Sequence, residues 1–272
     1  MGEQTQIGVL GCTGRMGKMI LQAIAADSGV ALASAGIRPG SALENRDVNA
    51  LGLSDAEGLG PVPLSSDLPA VFRAAEAVID FTLPEPTLCH VEIAAETGTP
   101  IIIGTTGLDN SQERRLEELS ERVAIVYAPN MSLGVNLLLA VVEQVAAALD
   151  PDWDIEIVEM HHNKKVDAPS GTAIGLGRAA AAGRGEVFDQ VATLSREGHT
   201  GPRERGTIGF ATLRGGDVIG EHSVIFAGSG ERIELGHRAG GRQIFANGAV
   251  KAAKWAAGKN PGLYTMKDVL GL

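Results

Sequence analysis

Apolar positions along the chain fall into short runs divided by Gly, Ser and Asp, and their spacing changes between the first half and the second. Ile7, Val9 and Leu10 mark a buried strand, followed by Met19, Ile20, Ala23 and Ile24 at the spacing of one helix face. A second strand is expected at about 30–35. Further runs at 77–81, 100–103 and 123–127 are continuous rather than alternating, as in strands covered on both faces, with helical patterns at 88–95 and 112–122 between them. Strand and helix in alternation predict a doubly wound parallel sheet. Residues 44–69, rich in Gly, Ser, Pro and Asp with little periodicity, read as a long surface excursion.

The second half has another rhythm. A helix at 135–149 leads into it, and the apolar positions Ile155, Ile157 and Val158 mark a strand that runs into a polar loop and a helix at 173–182. Runs at 191–194, 207–213, 223–226 and 232–235 are separated by glycine turns without intervening helices, which favours an antiparallel or mixed sheet. Gly240-Gly241 reads as a hinge, after which Ile244, Phe245 and Ala246 open an alanine-rich helix through Val250 and Trp255. That composition returns to the character of the first half. The expected organisation is α/β: one domain of 1–130 with 241–272, and a second, α+β domain of 131–240, joined by two crossings that permit closure.

Composition narrows the function classes. At 272 residues, 44% hydrophobic and 21% charged, the chain has the balance of a globular protein with room for two domains. A net charge of -10 supplies no basic face for nucleic acid. No apolar run approaches membrane-spanning length, and the polar start at Met1, Gly2, Glu3 and Gln4 lacks a signal-peptide core. Only Cys12 and Cys89 are present, too few for a disulfide framework. A cytoplasmic location is expected.

The chemistry begins at the first glycine turn. The first strand runs into Gly11-Cys12-Thr13-Gly14-Arg15-Met16-Gly17 and then a helix, the opening of a dinucleotide-binding unit, although Gly-x-x-Gly-x-x-Gly departs from the usual Gly-x-Gly-x-x-Gly. No acid stands at the end of the second strand to take a ribose hydroxyl; Arg38 stands there instead. A guanidinium suits a ribose 2′-phosphate, so NADPH is the expected cofactor. Thr82 and the run Gly104-Thr105-Thr106-Gly107 follow later strands, at the edge where open α/β sheets bind ligands.

A second concentration of polar residues follows the strand near 155. Glu159 to Ala173 holds His161, His162, Lys164, Lys165 and a Ser170-Gly171-Thr172 helix start. Ser170 or Thr172 can cap that helix, and the amides of Gly171 and Thr172 then form an anion-attracting end. A lysine charge and a histidine proton beside it suit a carboxylate substrate that is protonated during reaction. No metal site is expected, because adjacent histidines on an extended chain face opposite ways and no cysteine lies near.

Together these residues resemble the 4-hydroxy-tetrahydrodipicolinate (dihydrodipicolinate) reductase family, essentially end to end. The resemblance rests on Gly11 to Gly17, Asp80-Phe81-Thr82, Gly104 to Gly107, Ser195-Arg196-Glu197-Gly198-His199-Thr200-Gly201, Gly206 to Ala211 and Phe245 to Ala249, and most specifically on His161 to Thr172. It implies a Rossmann-type first domain, and His161 as proton donor with Lys165 assisting protonation and holding a carboxylate. His162, Gly171 and Thr172 would complete the pocket for a cyclic dicarboxylate. Gly11, Cys12, Thr13, Gly14, Arg15, Met16, Arg38, Gly104, Thr105, Thr106, Ala128, Pro129, Asn130 and Met131 match nucleotide contacts. Hydride would reach C4 of the ring and a proton C3, with water lost, in homotetramers built through the second domain's sheet. Two positions depart from the family. Ile37 stands where members using NADH well can carry an acid, which favours NADPH with NADH weaker, and Leu83 stands where an arginine can follow Phe-Thr.

Two rivals are separable. A semialdehyde dehydrogenase needs a catalytic cysteine, and neither Cys12 in the turn nor Cys89 in a helix is placed for it. A redox sensor that binds NADPH without turnover has no use for a proton donor beside an anion pocket.

Overall fold

The computed structural model describes residues 4–54 and 58–272. The polar start at Met1, Gly2 and Glu3 and positions 55–57 of the expected excursion lie outside them. The chain forms two compact units, residues 1–133 with 243–272, and residues 134–242.

The first unit alternates strand and helix: β1 (Thr5–Leu10), α1 (Arg15–Ala26), β2 (Val30–Gly36), β3 (Leu64–Ser65), α2 (Leu68–Arg73), β4 (Ala77–Asp80), α3 (Pro84–Thr97), β5 (Ile101–Ile103), α4 (Asn110–Ser120) and β6 (Ala124–Tyr127). The strands are parallel, in the order β12-β6-β5-β4-β1-β2-β3, where β12 (Gly262–Tyr264) returns from the end of the chain. Successive strand residues serve opposite faces. Ile79, Ile102 and Val126 pack with Ile20, Leu21 and Ala249 on one side, while Val78, Ile101 and Ile125 pack with Phe72, Val91 and Leu116 on the other. Both faces are covered, so the doubly wound expectation holds. Truncating a fully buried strand residue such as Ile102 to alanine should cost about 2–5 kcal/mol.

The stretch 44–69 departs from its reading as surface. Val48, Leu59, Val62 and Leu64 are buried in the first core, with a 3-10 turn at Val48–Leu51 and β3 on the sheet edge. Their spacing shows no period because short bridges and turns, not one long element, carry them inward.

The second unit opens with α5 (Leu133–Ala148) and β7 (Asp154–His161), followed by α6 (Gly171–Gly183), α7 (Phe188–Val191), β8 (Ala192–Thr193), β9 (Ile208–Arg214), β10 (Glu221–Ala227) and β11 (Arg232–Arg238). Its sheet, β11-β10-β7-β9-β8, pairs β7 with β9 and β8 with β9 in parallel, and β10 antiparallel to both β7 and β11. The sheet is therefore mixed. The strand expected at 191–194 shrinks to two residues, because Phe188–Val191 closes a helical turn first. Ile155, Ile157, Val224 and Phe226 pack with Leu138, Val142, Leu176 and Ala180 of α5 and α6. The chain then re-enters the first unit through α8 (Gln243–Ala256) and, after β12, α9 (Met266–Leu270). No helix among the described residues is long and apolar enough to cross a membrane.

Candidate active site

In the first unit the sheet order reverses between β1 and β4, so the chain leaves the carboxyl ends of these neighbours in opposite directions and opens a crevice there. Gly11 turns with φ +61° after β1, and its carbonyl receives the Gly14 N–H at 2.9 Å. A side chain at Gly17 would overlap the Gly11 carbonyl and come within 2.6 Å of the Cys12 Cα, so glycine lets α1 close onto the turn. Gly14 caps α1 with no side chain over the helix end, as an incoming phosphate requires. A cavity of about 550 Å³ lies above, lined among others by Gly11, Thr13, Arg38, Leu83, Pro86 and His90. These features fit a dinucleotide.

The expected nucleotide contacts divide when placed on this frame. Gly11, Thr13, Gly14 and Arg38 line the cavity. Arg15 is exposed and Met16 half-buried at the start of α1. Cys12 turns into the core, its Sγ 3.4 Å from the Gly36 carbonyl and its thiol pushed up to about 11 by burial, so only its backbone remains for a ligand. Thr105 is buried and bonded to Thr87 at 2.9 Å, Thr106 is exposed, and the Phe81 ring fills the space a side chain at Gly104 would need. After β6, Ala128 and Met131 are buried, Pro129 is exposed, and the Asn130 side chain accepts the Ser132 N–H at 2.9 Å. Ile37 is buried and Leu83 is 68% exposed.

Beneath this edge lies a polar network the sequence reading did not assign. Asp80, the fully buried last residue of β4, accepts the Thr82 N–H and hydroxyl at 2.8 and 2.6 Å, and its other oxygen lies 2.7 Å from His90 Nδ1.

The second unit holds a denser cluster. Along β7 the inward positions continue past Ile155 and Ile157 to Glu159 and His161, so the core face of the strand ends in two polar side chains. Glu159, 1% exposed, places Oε2 2.6 Å from His161 Nδ1, and Oε1 accepts the Ser170 N–H at 3.0 Å. Arg214, the register partner of His161 on β9, donates to both oxygens at 2.8 and 2.9 Å. Burial would raise the Glu159 pKa, but the bonds from Arg214, His161 and the Ser170 amide outweigh it and hold the group below the usual carboxylate range. An ionised carboxylate only accepts, so His161 Nδ1 carries the hydrogen and Nε2 takes no part in the pair. A side chain at Gly220 would come within 3.1 Å of that Nε2; glycine keeps its surroundings clear.

Ser170 is the observed cap of α6, its Oγ accepting the Ala173 N–H at 3.2 Å and lying 3.1 Å from His222 Nε2. Burial, followed by the neighbouring His161, lowers the His222 pKa to about 4. The rings of His161 and His222 meet edge to face at 5.1 Å. His222 is thus neutral near pH 7. Lys165 lies in the loop with its Nζ 2.8 Å from Asp167 Oδ1, Lys164 is exposed, and His162 is half-buried with Nδ1 lacking a hydrogen-bond partner. Gly171 and Thr172 form the first turn of α6. Arg196, from the 195–201 motif, instead grips Glu156 at 2.7 and 2.8 Å, on the opposite face of β7 from His161. Among the described residues no group of three or more His, Cys, Asp or Glu side chains is arranged to hold a metal ion.

Glu159, Arg214 and His222 are the cluster members without an assigned role in the sequence reading. Continuing the alternation of Ile155 and Ile157 by two steps points to Glu159; no local signal points to Arg214 or His222, which hydrogen-bond to partners 55 and 52 residues away.

Comparison with known proteins gives matches over both halves. Residues 5–131 match the family model described as dihydrodipicolinate reductase, N-terminus, and residues 134–270 match that of the C-terminus. A 4-hydroxy-tetrahydrodipicolinate reductase of Afipia carboxidovorans is 55% identical over 97% of this chain and 96% of its own. One from Thiobacillus denitrificans is 49% identical over 98% of both. A dipicolinate-bound dihydrodipicolinate reductase from Paenisporosarcina sp. TG-14 superposes with a TM-score of 0.76 over 97% of this chain and 98% of its own, at 23% identity, and so shows the fold.

Proposed function

The chain belongs to the dihydrodipicolinate reductase family, and on that premise we propose that it reduces 4-hydroxy-tetrahydrodipicolinate to tetrahydrodipicolinate in diaminopimelate and lysine biosynthesis. The observation that carries the reading is the Glu159 carboxylate, which binds the His161 ring and the Ser170 amide at the head of α6 at once. A proton source and an anion-attracting helix end are thereby fixed to one point.

Each residue then has a task. The amides of Gly171 and Thr172 receive one ring carboxylate. Lys165 exchanges the exposed carboxylate of Asp167 for a substrate carboxylate, and neutralising that charge makes the ring easier to reduce. His162 closes the pocket beside it. His161 delivers its Nε2 proton to C3 as C4 is reduced and water is lost, which leaves a neutral imidazole with Nδ1–H still on Glu159.

The first unit holds the reductant, a reduced nicotinamide dinucleotide that supplies hydride when bound. The cavity-lining residues of the Gly11–Gly14 turn would take its pyrophosphate and the edge residues after β5 and β6 its remaining length. NADPH is the preferred form, because Arg38 is exposed at the cavity while the buried Ile37 offers no carboxylate to a ribose hydroxyl; NADH serves less well.

The active assembly is a homotetramer formed through the second unit's sheet, whose partly exposed Val158, Met160, Leu213 and Ile233 offer apolar surface for it. Sedimentation of the purified chain tests this, a monomer at assay concentration being the contrary result. A cytoplasmic location accords with the biosynthetic role.

The reaction is tested by following NADPH absorbance while a synthase generates the cyclic substrate from pyruvate and aspartate semialdehyde. Rapid oxidation by the chain, and loss of kcat/KM in Lys165→Ala, are expected. Binding without consumption would instead make the chain a nucleotide sensor.

A further inference from the structure

We infer that Glu159 and Arg214 are a positioning pair for proton delivery: Arg214 locks the Glu159 carboxylate, which holds the Nδ1 hydrogen of His161 and leaves Nε2 as the only atom able to deliver a proton. The inference rests on the reductase reading and extends it to two residues outside the ligand-contacting set.

The carboxylate is saturated. Oε1 takes the Ser170 N–H and one Arg214 nitrogen; Oε2 takes His161 Nδ1 and the other Arg214 nitrogen. With its four lone-pair directions occupied, Glu159 cannot rotate without breaking several bonds. Arg214 is itself anchored, donating to the Leu213 and Asp167 carbonyls at 2.6 and 2.7 Å. The register fixes the members independently: His161 stands beside Arg214 across β7 and β9, and Glu159 stands opposite His222 across β7 and β10. Glu159 is buried while the Arg214 guanidinium is partly exposed, and such an ion pair adds little net stability once desolvation is counted, so stability alone does not account for it here. Orientation does.

Among other titratable groups, His222 from β10 meets the His161 ring, and His237 on β11 and Lys165 in the loop act in turn on His222. His161 and Arg214 share the negative charge of one carboxylate, so a change at either partner is felt by the other.

Three measurements test the pair. Nitrogen-15 NMR of the ligand-free chain should show neutral His161 protonated at Nδ1. Glu159→Gln, which keeps the shape but can offer N–H to Nδ1 and so favour the other tautomer, should lower kcat by about 10²–10⁴-fold with the KM for NADPH unchanged. The alkaline limb of its kcat profile should move to lower pH, whereas Arg214→Gln should move that limb to higher pH. Opposite displacements are not produced by mere loosening of the fold. An Nε2-protonated ring in the parent, limbs displaced the same way, or a kcat of Glu159→Gln within about twofold of the parent would overturn the inference. A parent chain that consumes no NADPH would sink the reductase reading, while the NMR tautomer would still decide the orientation.

Discussion

Each unit contains a buried carboxylate beside the Nδ1 of a histidine, Asp80 with His90 at 2.7 Å and Glu159 with His161 at 2.6 Å. The pairs are nearly identical in distance and differ in everything else the carboxylate touches. Asp80 takes its remaining bonds from Thr82, and Thr82 leads through Thr87 to Thr105 at 3.4 and 2.9 Å, so this network ties the loops after β4 and β5 together. Glu159 takes its remaining bonds from a guanidinium and a helix-end amide, beside a ring whose Nε2 a side chain at Gly220 would crowd. A carboxylate–imidazole pair is therefore no signature of proton transfer by itself. On the proposed reading, its other partners decide whether such a pair holds a wall or moves a proton.

The largest effect that separates the two is on turnover. His161→Gln should lower kcat by about 10²–10⁴-fold without weakening NADPH, while His90→Gln should change kcat by less than about tenfold. Equal losses in steady-state assays of both variants would erase the distinction. Next comes stability. Asp80→Asn should cost about 1–3 kcal/mol, read from the denaturant midpoint, because it weakens bonds to His90 and Thr82 that burial makes hard to replace. An unmoved midpoint would deny the network its loop-holding role. Arg38→Ala should raise the KM for NADPH about tenfold and leave that for NADH in place, confining the nucleotide preference to the first unit. An unchanged ratio of the two KM values would locate it elsewhere.

The smallest effect at neutral pH, and one that grows with acid, concerns His222. Its folded pKa of about 4 lies below the ordinary 6.5, so the unfolded chain binds more protons between these values. This contribution to stability is complete above pH 6.5 and is lost as pH falls towards 4. Glu159, held below its ordinary 4.5, adds a loss of the same sign at lower pH. Urea midpoints of the parent from pH 7 downwards should fall, and His222→Gln should flatten the part between 6.5 and 4. A parallel curve in the variant would assign that dependence to other groups.

The main strands of the first unit were legible because even the shortest of them, such as β5 at three residues, is an unbroken apolar run between turn residues. The returning strand β12 was not, being three residues of which one is glycine and paired only at the sheet edge. Helix α2 was hidden for a similar reason: six residues beginning at the far end of an irregular stretch carry too little period. At the second unit's cluster, His161, His162, Lys165 and the α6 cap were legible because they are contiguous. Glu159 hid in plain view, since a charged residue on the inward face of a strand imitates the start of a loop. Arg214 and His222 arrive from other strands, and only the sheet's register brings them to His161.

On the proposed reading this chain consumes NADPH to reduce a cyclic diacid, and the second unit's histidine supplies the proton. The most direct measurement follows NADPH absorbance, with the substrate generated in situ, for the parent and His161→Gln, and records nucleotide binding by fluorescence in the same samples. The parent should oxidise NADPH rapidly, and the variant should bind it as well but oxidise it at least about a hundredfold more slowly. A variant as fast as its parent, or a parent that binds nucleotide and consumes none with substrate present, would contradict that reading.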